Sequence, residues 1–141
     1  MKISFYSLLV LSFLFVQQMN ATEKINVHIV DGIKKNKPQL IFRCASGDDD
    51  LGWHFPTYQG SDFQFSFKLN FFVETIFFCH FWWGKKDASF EVYRNSGACG
   101  SEIHTGICYW LVKEDGFYLA NQTSPPPSFL VRKFGWVNAI Y

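Results

Sequence analysis

Across residues 22–141 no run of ten to twelve residues carries a capped 3.6-residue apolar stripe; short segments alternating apolar and polar residues take its place. Alternation sends one face of a strand into a core and the other into water, so this pattern specifies sheets rather than helices. It is plainest in Phe63-Gln64-Phe65-Ser66-Phe67-Lys68-Leu69. Residues 25–29 repeat it, as do Leu40, Phe42 and Cys44 on one face of the next segment. Residues 90–93 and 107–112 add two more candidates, and residues 75–82, apolar on both faces, read as an inner strand. Asp115-Gly116 between two apolar runs predicts a tight hairpin into residues 117–119. A last strand is expected within 129–136, after the stiff Pro125-Pro126-Pro127. Seven or eight short strands make the expected fold all-β, a single small β-sandwich with two disulfides.

The two disulfides follow from the start of the chain. Residues 1–16 read MKISFYSLLVLSFLFV, one lysine and then an almost unbroken apolar run. A short basic start and an apolar core of this size fit a secretory signal peptide, with cleavage expected after Ala21. The run is too short for a membrane span, so no stable membrane insertion is expected. The expected organisation is a signal peptide, 1–21, and one domain, 22–141. Cys44, Cys79, Cys99 and Cys108 all lie beyond the leader. An even count in a small secreted domain predicts two disulfides. Three pairings are open; the one expected joins Cys44 to Cys108 across two core strands and ties the later loop down through Cys79–Cys99.

The whole chain has 13 basic and 12 acidic side chains, and loss of Lys2 with the leader leaves the two in balance. That excludes a strongly basic nucleic-acid binder and a polybasic membrane binder. Three polar loops lie between the expected strands. Lys34, Lys35 and Lys37 lie in the first, Asp48, Asp49 and Asp50 in the second, and Lys85 and Lys86 in the third. Loops on a rigid scaffold are common recognition elements, which makes these eight residues the candidate binding set, although solubility alone also accounts for charged loops. Aromatic residues form 20% of the chain, which argues for a packed core over disorder. Trp53, Trp82, Trp83 and Trp110 offer a platform for sugars or lipids, but core packing is the default for Trp110. Adjacent Trp82 and Trp83 must face opposite sides of a regular strand.

Catalytic signatures are missing: there is no Gly-x-Ser-x-Gly elbow, phosphate-binding loop, His-Glu-x-x-His or Cys-x-x-Cys. His28, His54, His80 and His104 form no pair at short ligand spacing, so no His-based metal site is expected. The acidic run ending at Gly52 lacks the spacing of a calcium loop and reads as a turn in which Asp side chains bond backbone amides. No enzyme activity and no cofactor are expected. Asn121-Gln122-Thr123 is an N-glycosylation acceptor in a surface loop. Asn20-Ala21-Thr22 also matches, but cleavage after Ala21 destroys it.

The cysteines and their surroundings carry a resemblance. Leu40-Ile41-Phe42-Arg43-Cys44-Ala45-Ser46 is followed by Asp48-Asp49-Asp50-Leu51-Gly52, Gly60 and the alternation of 63–67. Thr75-Ile76-Phe77-Phe78-Cys79-His80-Phe81, Phe90-Glu91-Val92-Tyr93, Cys99, Cys108-Tyr109-Trp110 and Asp115-Gly116-Phe117-Tyr118 complete the series. This ordered set, spanning roughly residues 25–118, resembles the plant self-incompatibility S1 family, or S-protein homologues. One departure is Asp31-Gly32-Ile33, where the family usually has an Asn-Leu pair. The resemblance implies a secreted, disulfide-bonded β-sandwich without known enzymatic activity, some of whose relatives act as ligands recognised at a cell surface. The function expected is therefore a secreted, monomeric recognition or signalling protein that meets an unknown cell-surface receptor through its loops. The alternative is a secreted defence or toxin-like protein acting on membranes, against which the neutral charge and the lack of a cationic amphipathic helix count.

Overall fold

Among the described residues the chain forms ten strands, most of them alternating. The computed structural model describes residues 4–20, 24–70 and 72–140. A helix α1, Phe5–Asn20, lies within the segment expected as a leader, and the expected cleavage position, Ala21, falls outside the described residues. Then follow β1 (Lys24–Asp31), β2 (Leu40–Ala45), β3 (Asp50–His54), β4 (Asp62–Lys68), β5 (Ile76–Trp83) and β6 (Lys86–Arg94). After a long loop come β7 (Ile107–Lys113), β8 (Gly116–Ala120), β9 (Val131–Phe134) and β10 (Val137–Asn138).

The strands form two five-stranded sheets, β4-β1-β7-β8-β9 and β10-β6-β5-β2-β3. All pairings are antiparallel except β1 with β7, which are parallel. Inward residues of both sheets meet in one core. Val27 and Ile29 of β1, Trp110 and Val112 of β7, and Phe117 of β8 face Phe42 of β2, Phe81 of β5 and Val92 of β6. The chain is thus an all-β sandwich, as its alternation requires.

Two local features bear on later arguments. Between β5 and β6 the register steps from Phe77↔Tyr93 to Phe78↔Glu91, which leaves Val92 as the extra residue of a β-bulge. Trp110, fully buried in the opposite sheet, donates its indole N–H to the Val92 carbonyl at 3.0 Å. The bulge is therefore tied across the core.

Several expectations need correction. Cys44 and Cys79 are register partners on neighbouring strands of one sheet, 4.1 Å apart at Cα, and they bond to each other. Cys108 lies in the other sheet and pairs with Cys99, which fastens the β6–β7 loop to β7. The expected Cys44–Cys108 and Cys79–Cys99 pairing fails because β2 pairs directly with β5, which counting cysteines does not reveal. The hairpin loop is Glu114-Asp115, one residue earlier than expected, since Lys113 pairs with Gly116. Gly116 opens β8 at φ 147°, where a Cβ would sit 2.5 Å from the Phe134 carbonyl oxygen. β3 and β10 were not foreseen. Phe63, Phe65 and Phe67 share the inner face as expected, but β4 is an edge strand, so all three are only half-buried.

Candidate functional site

Two of the three charged loops come together. The β1–β2 connection carries Lys34, Lys35 and Lys37, and the tight β5–β6 turn carries Lys85, with Lys86 as the first residue of β6. Leu40 is the register partner of Trp83, so these connections leave the sheet side by side. The Trp83 indole donates to the Pro38 carbonyl at 3.0 Å, and a Cβ on Gly84 would lie 2.9 Å from the Pro38 ring. Gly84 takes φ 59°, so this close approach and the turn both suit glycine. The Gly32 amide donates to the Val112 carbonyl, and the Lys34 amide to Glu114 Oε1, which fastens the first loop to the β7–β8 hairpin.

The result is a lysine-rich end of the sandwich. Lys34, Lys35, Lys37, Lys85 and Lys86 are all exposed. Among the described residues none of these ammonium groups lies within 4.0 Å of a carboxylate. Lys86 sits 5.5 Å from the Trp83 ring centroid, and Lys113 5.1 Å from that of Tyr118. Of the carboxylates here, Asp31 is buried and accepts from the Ile33 amide. Burial pushes its pKa above the ordinary aspartate value. Asp115 accepts from the Tyr118 hydroxyl at 2.7 Å, which holds its pKa down.

Asp48, Asp49 and Asp50 are not part of this end. β2 runs from Leu40, beside the lysines, to Ala45, beside the acidic loop. Its six residues place the two loops ~20 Å apart. That exceeds the screening length of ~8 Å at physiological salt, so the distant carboxylates do not neutralise the lysines. A chain with balanced charge overall is locally polarised. Asp50 is committed to an ion pair with Arg43, which lowers its pKa, and accepts from the Gly52 amide at 2.9 Å. Gly52, within β3, has φ 82°, the left-handed region that favours glycine. Asp48 accepts from the Ser46 hydroxyl.

The outer face of the second sheet holds an arrangement that sequence reasoning did not assemble. Trp53 stacks on Trp82 at 5.1 Å, and Trp82 on His80 at 3.8 Å. The Arg43 guanidinium lies 5.7 Å from the Trp53 centroid. Trp82 and Trp83 face opposite sides of β5, since Trp83 turns instead to Trp136. The signal was present in Arg43, His80 and Trp82, which alternate with core residues, but their partner Trp53 sits on the unforeseen β3. Two of the other histidines are held locally: His28 Nδ1 lies 2.9 Å from Asp62, and His54 Nε2 donates to the Leu51 carbonyl. Among the described residues no group of three His, Cys, Asp or Glu is placed to hold a metal ion. Asn121 is exposed in the bend after β8.

Comparison with known proteins places this geometry among plant proteins. The family model for plant self-incompatibility protein S1 matches residues 26–132. The self-incompatibility protein S1 of Papaver rhoeas is 31% identical over 119 residues, 81% of this chain and 81% of that protein. S-protein homolog 5 of Arabidopsis thaliana is 35% identical over 82 residues, 56% of this chain and 59% of that protein. S-protein homolog 2 of the same plant is 32% identical over 83 residues, 57% of this chain. The matched region spans only 59% and 51% of those two Arabidopsis proteins. A solved structure from the self-incompatibility protein homologues, described as small, highly stable, secreted plant proteins, superposes with TM-score 0.56 at 17% identity. It covers 82% of this chain and 96% of the other, and it shows the shared fold.

Proposed function

The chain belongs to the plant self-incompatibility S1 family, and on that premise we propose that it is a secreted, non-enzymatic recognition protein whose lysine-rich end meets a cell-surface receptor. Residues 1–21 act as the leader and are removed, and residues 22–141 act as a monomer outside the cell. The observation that carries this reading is the convergence of Lys34, Lys35, Lys37, Lys85 and Lys86 on one end, unpaired with carboxylates among the described residues. Such an end steers approach to an acidic patch and sets orientation, which is how charge contributes to recognition. Asp48 and Asp49, at the far end, then serve as a second contact or as a repulsive element against wrong partners. No helix among the described residues is long and apolar enough to cross a membrane.

The test is binding of labelled, purified protein to cells of the tissue that meets it and, in parallel, to liposomes. A receptor ligand binds the cells saturably and is displaced by unlabelled protein. Uptake that grows with lipid and does not saturate would replace this reading with the membrane-acting one. N-terminal sequencing of extracellular protein tests the leader, and a retained Met1 would refute its removal.

A further inference from the structure

Near the end opposite the lysines the sandwich opens into a groove of about 280 Å³. Its wall is apolar: Leu119 and Val131, register partners across β8 and β9, with Ile103 from the β6–β7 loop and Phe129. Phe129 and Val131 are left 51% and 54% exposed. An ion pair between Glu102 and Lys133 forms a polar rim. The remaining lining residue with chemistry to offer is Asn121, at the edge of the same groove. Thr105 Oγ1 holds the Asn121 carbonyl at 2.7 Å, while no side-chain hydrogen bond of Asn121 occurs among the described residues.

Asn121 begins the acceptor Asn121-Gln122-Thr123, so an apolar depression and a sugar-acceptor amide share one rim. The geometry points to an N-linked glycan on Asn121 whose first N-acetylhexosamine lies in this groove and covers Phe129 and Val131. The volume is just below the ~300–1,000 Å³ typical of ligand pockets, enough for one monosaccharide and too little for a larger ligand. A pyranose has an apolar C–H face and an acetamide methyl for the ring of Phe129, and hydroxyls for Glu102 and Lys133. In the attachment step Asn121 Nδ2 bonds to the anomeric carbon of a lipid-linked oligosaccharide diphosphate. The bond from that carbon to the diphosphate oxygen breaks, the lipid diphosphate leaves with the electron pair, and Nδ2 loses one proton to a base.

This inference rests on the passage through the secretory route proposed above. Full-length chain is expressed in plant cells and recovered from the medium. Mass analysis before and after glycan-releasing amidase treatment should show one sugar chain at Asn121, lost on treatment. Removing it should lower the melting temperature by about 2–6 °C, the size of a modest packing loss in a domain of this size. The same treatment of the exposed-groove variant Phe129→Ser/Val131→Ser should lower it by far less. Binding of a hydrophobic dye should rise on deglycosylation of the unmodified chain only. Secreted protein without sugar at Asn121 would overturn the site. An equal fall in both proteins would overturn the seat. A second preparation, with residues 1–21 replaced by an established secretion leader, separates the two readings: sugar there, with none on a retained native chain, would refute the leader and uphold the site.

Discussion

Replacing Trp110 by Phe removes the indole N–H that ties the β6 bulge to the opposite sheet. Trp110 is fully buried, with ring centroids of Phe90 at 5.1 Å and Phe134 at 6.0 Å, and its N–H serves the carbonyl of the extra residue Val92. Phe keeps the apolar contact but has no donor. The smaller ring leaves roughly 40 Å³, and at ~24 cal/mol per Å³ that costs about 1 kcal/mol. A buried carbonyl deprived of its donor adds about 1–3 kcal/mol. The expected loss is therefore ~2–4 kcal/mol, a large share of the ~5–15 kcal/mol that holds a domain together. Urea unfolding of the oxidised protein, followed by far-ultraviolet circular dichroism, measures it directly. The midpoint should fall with little change in slope, because the surface exposed on unfolding is nearly the same. A loss below about 1 kcal/mol would refute the reasoning, since neither cavity nor orphaned carbonyl would then be felt.

Three further outcomes follow from the same core. Peptide mapping without reduction should yield Cys44–Cys79 and Cys99–Cys108 peptides; in the chain-entropy account their separations of 35 and 9 residues correspond to ~3.8 and ~2.6 kcal/mol, and a Cys44–Cys108 peptide would contradict the strand pairing. Phe65→Ala should cost ~2–3 kcal/mol in urea, below the ~3–5 kcal/mol of a fully buried ring, because Phe65 packs on Phe77 at 4.9 Å from an edge strand; no loss would show that this face does not pack. Asp31→Asn keeps an oxygen for the Ile33 amide and removes a charge that burial disfavours. Because the folded-state pKa lies above the unfolded one, the unmodified chain gains stability as pH falls through the folded value towards the ordinary aspartate range. The variant should therefore melt higher at neutral pH, with the difference vanishing in acid; an unchanged melting temperature at neutral pH would sink the argument.

Period-two alternation made most of the sandwich legible, because burial on one face is a local property of the chain. β3 escaped because Asp50, Gly52 and Trp53 are exposed or half-exposed on an edge strand, where nothing enforces alternation. β10 has two residues and no pattern to read. Disulfide partners depend on which strands are neighbours, and adjacency of β2 to β5 is a tertiary fact. The candidate site was legible as three separate loops. That the two basic ones converge follows from Leu40 pairing with Trp83, and that the acidic one stands apart follows from the direction of β2. The Trp53–Trp82–His80 stack joins residues 27–29 positions apart in sequence, a contact that alternation alone does not announce.

The most direct measurement compares association of the native protein and Lys34→Ser/Lys35→Ser/Lys85→Ser/Lys86→Ser with membranes from the tissue of expression, across a range of salt. All four lysines are exposed, so folding should be nearly unchanged, which circular dichroism checks. If the lysine-rich end carries recognition, the variant should associate on the order of tenfold more slowly at low salt, with dissociation little altered and salt dependence flattened. Equal association rates and equal salt dependence for the two proteins would contradict the account.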